Sequence, residues 1–194
     1  MAASELPPNS VSAVISQVPH LNGKEATKQA IASRGLIQSI RVVLIGLADI
    51  VLSQVLQVSP PLYVKIAGSK ESQEIGYMSL TTEQLDLYYS KHPKKYLGGW
   101  KNLAPARTLL LLSLYNPMKK LKNYSAAPVL FITAKQDDLC PPKFVTDSIA
   151  DAKKHGVNLF SHLQVDTNHF GVYGGDHFEQ AVSEMKSFLQ KHLK

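Results

Sequence analysis

Two loops of the sequence carry acidic and basic side chains that could act together in proton transfer. Asp137 and Asp138 follow the apolar run PVLFITA (128–134), and His169 follows the alternating run VNLFSHLQV (157–165). A histidine whose imidazole is oriented by a carboxylate can take a proton from a nucleophile and return it to a leaving group. The pattern therefore predicts one acid and one base. Spacing alone does not separate Asp137 from Asp138 as the acid.

Four other histidines compete with His169 for the role of the base. His177 is the nearest rival, but it falls just inside the predicted last helix, and His155, His162 and His192 do not follow a strand in a loop. A single Asp or His in a loop usually caps a turn or faces water. The proton-transfer hypothesis depends on the pairing of two such residues in consecutive strand–loop units.

The elements that must position this pair are predicted over the last third of the chain. Both apolar runs have the composition of strands, and an amphipathic helix with Gly156 as its C-cap separates them. A final helix is predicted to open at Asp176, with Glu179 at a capping-box spacing. Parallel strands joined by a helix end at the same edge of a sheet, about 4.8 Å apart. The two loops should therefore meet.

Upstream, the sequence predicts one buried strand and then mainly helices. VSAVISQVP is the strand, and LNGKEATKQAIASRG is a turn with a short helix that Gly35 ends. Residues 36–57 predict a longer helix that is apolar almost all round and should be buried or covered. LYVKIAG and EIGYMSL predict a small hairpin, TTEQLDLYYSKHP a helix capped by Thr81 or Thr82, and NLAPARTLLLLSLYNP another apolar helix before the basic loop MKKLKNYSAA.

These elements divide the chain into three parts. Residues 1–22 form a core strand with its flanks, residues 23–125 a helical lid or insertion, and residues 126–194 a C-terminal core. The middle part has the pattern of an insertion, because it is mainly helical with one small hairpin.

Composition excludes several classes of protein. The chain has 194 residues, 44% of them hydrophobic, and a formal charge of +6, which is enough apolar material for a core. Its three arginines form no stripe with aromatic residues, so no nucleic-acid partner is expected. The single cysteine, Cys140, allows no internal disulfide and suits a reducing, cytoplasmic location.

A membrane-spanning segment is not expected either. The start of the chain lacks the basic and apolar regions of a secretory signal. Residues 36–56 are the best candidate for a span, but Arg41 and Asp49 lie inside the apolar window, where lipid makes them costly.

The two C-terminal loops resemble a known family. APVLFITAKQDDLCPP and TNHFGVYGGDHFEQAVSEMKSFLQKHL are similar to the C-terminal part of an α/β-hydrolase, in which the acid follows the penultimate strand and the base follows the last one. The resemblance implies Asp137 as the acid, His169 as the base, and Phe170 and Tyr173 as its aromatic companions.

The resemblance covers most of the chain but departs from the family pattern at two positions. Ala134 and Asn168 stand where glycine is common in that family. AVISQVPHLNG resembles the strand after the nucleophile helix of a bacterial and fungal hydrolase group, and PPLYVKIAG and WKNLAPARTLLLLSLYNPMKKLKNYSAAPVLF resemble the lid and return segments of that group.

One part of the catalytic apparatus has no match. The family's nucleophile stands in G-x-S-x-G, and the sequence contains no such motif. Ser33, in IASRG, lacks the first glycine and lies in a helical pattern, and Cys140 lies beside the acid rather than at an elbow. The expected fold is therefore an incomplete α/β-hydrolase-like parallel sheet with a mainly helical lid insertion.

The resemblance also sets the functional expectations. The intact parent should hydrolyse esters or amides with a small apolar carbonyl substrate, without cofactor or metal. The chain itself should be inactive, as a truncated fragment, a degenerate homologue, or a chain completed by a second copy or a separate partner. The alternative is a non-catalytic binding or scaffold protein derived from the fold.

Overall fold

The computed structural model describes residue 7 and residues 10–91 and 101–193 of the chain. The strands are β1 (Val14–Gln17), β2 (Tyr63–Ser69), β3 (Gly76–Leu80), β4 (Leu103–Pro105), β5 (Val129–Ala134) and β6 (Phe160–Val165). The helices are α1 (Gly23–Arg34), α2 (Leu36–Asp49), α3 (Thr82–Lys91), α4 (Arg107–Leu114), α5 (Met118–Leu121), α6 (Pro142–Lys154) and α7 (Gly175–His192). A π-helical segment (Ile50–Val55) continues α2, and a 3-10 turn (Gly171–Tyr173) precedes α7.

The chain divides into two compact units. The first unit contains the residues up to Asn22 and those from Asn116 onward, and the second unit is Gly23–Tyr115. The chain passes from the first unit to the second between residues 22 and 23 and returns between residues 115 and 116. Leu121 and Tyr124, in and just after the short helix α5, are buried in the core of the first unit.

The sheet of the first unit has the strand order β1-β5-β6, and both pairings are parallel. Val129 at the start of β5 is in register with Val14 of β1 on one side and with Phe160 of β6 on the other. The predicted strands are thus confirmed, and β5 lies in the middle. The carboxyl ends of β5 and β6 lie at one edge of the sheet.

Both faces of β5 are covered, which explains its uninterrupted run of apolar residues. Leu130 and Ile132 pack on one face with Phe188 of α7, and Val129 and Phe131 pack on the other with helix α6. Each fully buried aliphatic or aromatic side chain contributes about 2 kcal/mol to folding. This layered packing is what holds the loops after β5 and β6.

Helices α6 and α7 of the first unit begin at a proline and at a glycine, respectively. α6 starts at Pro142 and has His155 as its C-cap, and Gly156, which was predicted as the C-cap, follows it in the left-handed region with φ of 82°. The predicted capping box of α7 is wrong. The helix has Gly174 as its N-cap, with no side-chain cap hydrogen bond, and it starts at Gly175, whose φ of 65° glycine readily adopts. Asp176 therefore falls inside the first turn.

The second unit contains a small sheet with the order β3-β2-β4. The predicted hairpin is wrong, because β2 and β3 are parallel, with Lys65 opposite Gly76 and Ser69 opposite Leu80. The chain turns back between them. The Glu74 carboxylate accepts the Ser69 N–H over 2.9 Å.

Two further predictions for the second unit are refined. The apolar helix predicted over NLAPARTLLLLSLYNP is split into β4, antiparallel to β2, and α4. Of the two N-cap candidates for α3, Thr81 is the cap: its Oγ1 accepts the Gln84 N–H over 3.3 Å, and Gln84 Oε1 accepts the Thr81 N–H over 3.1 Å.

The long apolar helix forms as predicted but is not buried, so that part of the prediction is wrong. Its buried residues are Gln38, Val42, Gly46 and Asp49, while most of its Leu, Ile and Val side chains are exposed. A Cβ on Gly46 would lie only 2.8 Å from Leu110 Cγ, so α4 packs closely on this stripe. Small and hydrogen-bonded residues, rather than the most apolar ones, decided which side faces inward.

Candidate active site

Asp137 and His169 meet at the edge of the sheet where β5 and β6 end. The imidazole Nδ1 of His169 lies 2.9 Å from Oδ2 and 3.1 Å from Oδ1 of Asp137. A carboxylate only accepts hydrogen bonds, so Nδ1 is the protonated nitrogen that donates. The predicted contact between these two side chains is confirmed.

The Asp137 carboxylate is held by its own loop as well. Its side chain is fully buried, and its Oδ1 accepts the N–H groups of Leu139 over 2.9 Å and of Cys140 over 2.7 Å. Asp138 is exposed. Burial and the hydrogen bonds to His169 therefore separate the two aspartates, and Asp137 is the one that pairs with His169.

Asn168 shapes the turn that presents His169. Its side-chain Oδ1 accepts the N–H of Phe170 over 3.1 Å and of Gly171 over 2.9 Å, which is an Asx turn. Gly171 admits no side chain, because a Cβ there would lie 1.9 Å from Thr167 Oγ1. Asn168 therefore stabilises this turn through its side-chain hydrogen bonds, at a position where the family commonly has glycine.

The imidazole of His169 is partly shielded by an aromatic neighbour. The Phe170 ring lies edge-on to it, with ring centroids 5.0 Å apart, and Phe170 itself is buried. The His169 side chain is 14% exposed. Within the described part of the chain, no residue hydrogen-bonds Nε2, so that lone pair is available to accept a proton. Tyr173, the other predicted companion, lies in the 3-10 turn and is exposed.

The rival histidines occupy other places. His177 lies in the first turn of α7, and His155 Nδ1 is 2.8 Å from the Asp151 carbonyl oxygen at the end of α6. His162 Nε2 lies 2.8 Å from Thr133 Oγ1 within the sheet, where burial lowers the pKa of the imidazole. His192 lies against Phe188 at the end of α7.

Cys140 and Ser33 are the two weak candidates for the nucleophile. Burial, with the charge of Asp137 beside it, raises the pKa of the Cys140 thiol to about 12, so the thiol stays protonated at neutral pH. Ser33 lies within helix α1, and its side chain is outside the described residues. Among the described residues, no three His, Cys, Asp or Glu side chains converge to hold a metal ion.

Comparison with solved structures shows which fold the chain has. The α/β hydrolase GrgF from Penicillium sp. sh18 matches with a TM-score of 0.59 at 17% identity, over 98% of this chain and 58% of that one. DcsB, solved in complex with its substrate analogue, matches with a TM-score of 0.67 at 17% identity, over 94% of this chain and 57% of that one. The monoacylglycerol lipase of Paleococcus ferrophilus matches with a TM-score of 0.58 at 14% identity, over 98% and 62%.

These likenesses concern the fold, and the chain spans less than two thirds of each of these proteins. No curated protein gives a significant match. Residues 74–194, more than half of the chain, match the family described as the prolyl oligopeptidase family. The chain therefore belongs to the prolyl oligopeptidase family and has an α/β-hydrolase fold with a parallel sheet that is incomplete among its described residues.

Proposed function

We propose that this chain provides the acid and the base for serine-dependent hydrolysis of an ester or amide. The observation that supports this proposal is the pairing of the buried Asp137 carboxylate with His169 Nδ1 at 2.9 Å, which leaves Nε2 without a hydrogen bond in the described part of the chain. An imidazole held in this tautomer is suited to act as a general base.

The proposed reaction is acyl transfer to water. A serine hydroxyl supplied from outside these residues attacks the substrate carbonyl carbon while His169 Nε2 takes its proton. The imidazolium then protonates the leaving oxygen or nitrogen. Water attacks the acyl-serine and gives its proton to Nε2, which returns it to the serine oxygen. Asp137 orients the ring and stabilises the imidazolium throughout.

The substrate class follows from two weaker lines of support. The match to the prolyl oligopeptidase family favours an amide, and the apolar residues of the proposed lid favour a carbonyl compound with an apolar part. Both ester and peptide substrates therefore belong in the test. A reducing, cytoplasmic location is part of the proposal, since the one cysteine is free.

The first test uses the chain itself. With no G-x-S-x-G motif in its sequence, we expect no turnover of an activated p-nitrophenyl ester and no covalent labelling by a fluorophosphonate. Turnover that disappears in His169→Ala would show that the chain has its own nucleophile, and it would overturn the proposal that the serine comes from elsewhere.

The second test reads the coding DNA upstream of residue 1. An in-frame strand followed by G-x-S-x-G would define a longer protein, whose kcat on ester and peptide substrates should fall by about 10³-fold or more in His169→Ala. Asp137→Asn should reduce it similarly, while Asp138→Asn, the matched control, should leave it nearly unchanged. Full activity of the longer protein after His169→Ala would contradict the assignment of the base.

A second candidate function rests on the missing motif and on the sheet edge. β1 is the outer strand of the order β1-β5-β6, so its far edge can pair with another strand. A non-catalytic binding protein, or a subunit that completes the sheet of a partner, would use that edge. The absence of an upstream motif, together with co-purification of a partner, would favour this alternative over hydrolysis.

A further inference from the structure

The helix formed by α2 and its π-helical continuation turns its apolar side outward. Its buried stripe follows Gln38 at intervals of four, four and three residues, which is one side of a helix. We call the opposite side the apolar face. Its members are more than two fifths exposed: Leu36, Ile37, Ile40, Val43, Leu44, Leu47, Val51 and Val55.

This exposure is large for water-facing aliphatic side chains. Leu36 and Ile37 are 71% and 72% exposed, and Leu44 is 60% exposed. A continuous apolar surface on a protein usually marks a site of interaction, because isolated exposed apolar residues are common but contiguous ones are not. We therefore expect the apolar face to bind another molecule.

Length and composition would let this helix cross a bilayer, since Leu36–Val55 is a 20-residue apolar segment. Its buried stripe argues against that arrangement. Asp49 accepts the N–H groups of Leu62 over 2.8 Å and of Arg107 over 2.9 Å, and the Arg107 guanidinium lies 3.1 Å from the carboxylate. Moving this ion pair into lipid is costly. One side of the helix is thus bound to its own unit, and only the other is available.

The charge of the second unit indicates which occupant fits. Residues 23–115 contain eleven Lys and Arg against six Asp and Glu, so this unit carries most of the net charge of +6. Arg41 is exposed and follows Ile37 by four residues, which places it at the border of the apolar face. Each basic residue near an anionic bilayer contributes about 1 kcal/mol of attraction. Two copies of this unit would instead repel each other.

We propose that the apolar face docks on the surface of an anionic lipid bilayer, with the helix lying in the plane of the interface. The aliphatic side chains enter the boundary between headgroups and acyl chains, and Arg41 at the border of the face contacts the headgroups. The arrangement is peripheral and requires no spanning segment. It is independent of the proposed hydrolysis.

The test is flotation of the purified chain with lipid vesicles. We expect it to float with phosphatidylcholine vesicles that contain about one third phosphatidylserine, and to float much less with phosphatidylcholine alone. Ile37→Asp combined with Leu44→Asp should reduce the bound fraction about tenfold or more, since each side chain loses its apolar burial. Arg41→Glu should weaken binding to the anionic vesicles only.

Two controls test whether the loss of vesicle binding is specific to the apolar face. Leu193→Asp changes an equally exposed leucine at the end of α7 and should bind as the unchanged chain does. Because Ile37 and Leu44 are exposed, their replacement should leave the midpoint of thermal unfolding nearly unchanged.

Three results would overturn the proposal. The first is that the chain floats with neither kind of vesicle, and the second is that the double variant floats as well as the unchanged chain. The third result is a dimer that forms without lipid and is lost in the double variant by sedimentation, which would assign the apolar face to a second copy of the chain.

Discussion

The backbone N–H of Gln136 donates to the carbonyl oxygen of Thr167 over 3.0 Å, so the loop that carries Asp137 is joined to the loop that carries His169. The N–H of Lys135 donates to the Val165 carbonyl oxygen over 2.8 Å just before it. The parallel ladder of β5 and β6 therefore extends into the site. Asp137 and His169 are held together by main chain as well as by their side chains.

Replacement of Asp137 by Asn should move the proton of His169 from one ring nitrogen to the other. The Asn oxygen can still accept the N–H groups of Leu139 and Cys140, which leaves its NH₂ group facing His169 Nδ1. Nδ1 then becomes an acceptor and Nε2 carries the proton. Nitrogen chemical shifts of the His169 ring report this exchange directly. The lost charge-assisted hydrogen bond should cost about 2 kcal/mol of unfolding free energy.

Asp138→Asn is the matched control for that change. Asp138 is exposed, so its replacement should alter the unfolding free energy by less than about 0.5 kcal/mol and leave the ring shifts of His169 unchanged. Equal effects of the two substitutions would contradict the structural distinction between the two aspartates.

Asn168→Ala should loosen the turn that contains His169. The variant removes the side-chain oxygen that accepts the N–H groups of Phe170 and Gly171, while Gly171 keeps the Asn168 carbonyl oxygen at 3.2 Å. The loss should cost about 1 kcal/mol in urea unfolding. Asn168→Asp keeps the acceptor oxygen and should retain most of the stability. Similar losses in both variants would show that the Asx turn is not what stabilises this loop.

Acidification should weaken the second unit through Asp49. Burial by itself raises the pKa of this carboxyl group, but hydrogen bonds from the N–H groups of Arg107 and Leu62 and the Ser53 hydroxyl, together with the Arg107 charge, lower it below its usual 3.8. The folded-state pKa is therefore below the unfolded value. The contribution of Asp49 is fully present above the unfolded pKa and is lost as the pH falls through the folded pKa.

Asp49→Asn isolates this contribution. The variant should be less stable than the unchanged chain near neutral pH, and the difference between the two should shrink as the pH falls below about 4. Urea unfolding at several pH values measures it. A difference that stays constant with pH would show that the charge of Asp49 does not stabilise the fold.

Cys140 should react slowly with thiol reagents while the chain is folded. Its pKa of about 12, raised first by burial and then by the charge of Asp137, lowers the thiolate fraction at neutral pH about a thousandfold relative to a free thiol. Urea should restore a normal rate, and Asp137→Asn should raise the folded rate in part. Labelling of the folded chain as fast as in urea would contradict the raised pKa.

The local elements of the first unit were predictable because their signals are strong. β5 is a continuous apolar run and β6 lies in an alternating run, and polar loops follow both. The helices between and after them repeat apolar residues at helical spacing. Since parallel strands end together, the meeting of His169 with one of the two aspartates followed from two loops alone. Their roles as acid and base remain a prediction.

The second unit was less predictable because its outcomes depend on contacts between distant residues. The periodicity of residues 36–57 establishes a helix but not which side faces inward; the hydrogen bonds of Asp49 with Leu62 and Arg107 decide that. The parallel pairing of β2 and β3 depends on the turn held by Glu74 and on the lack of a Cβ at Gly76, since a Cβ there would lie 3.1 Å from the Lys65 oxygen.

The amino-acid sequence by itself determined the α/β class, the elements of the parallel sheet, and the two loops that bear an acid and a base, because these are written in short-range patterns of polarity and turn residues. Only the tertiary structure decided between Asp137 and Asp138 and turned the apolar face of α2 outward. Both outcomes depend on burial and on hydrogen bonds between residues far apart in the chain, and such contacts leave no periodic signal in the sequence.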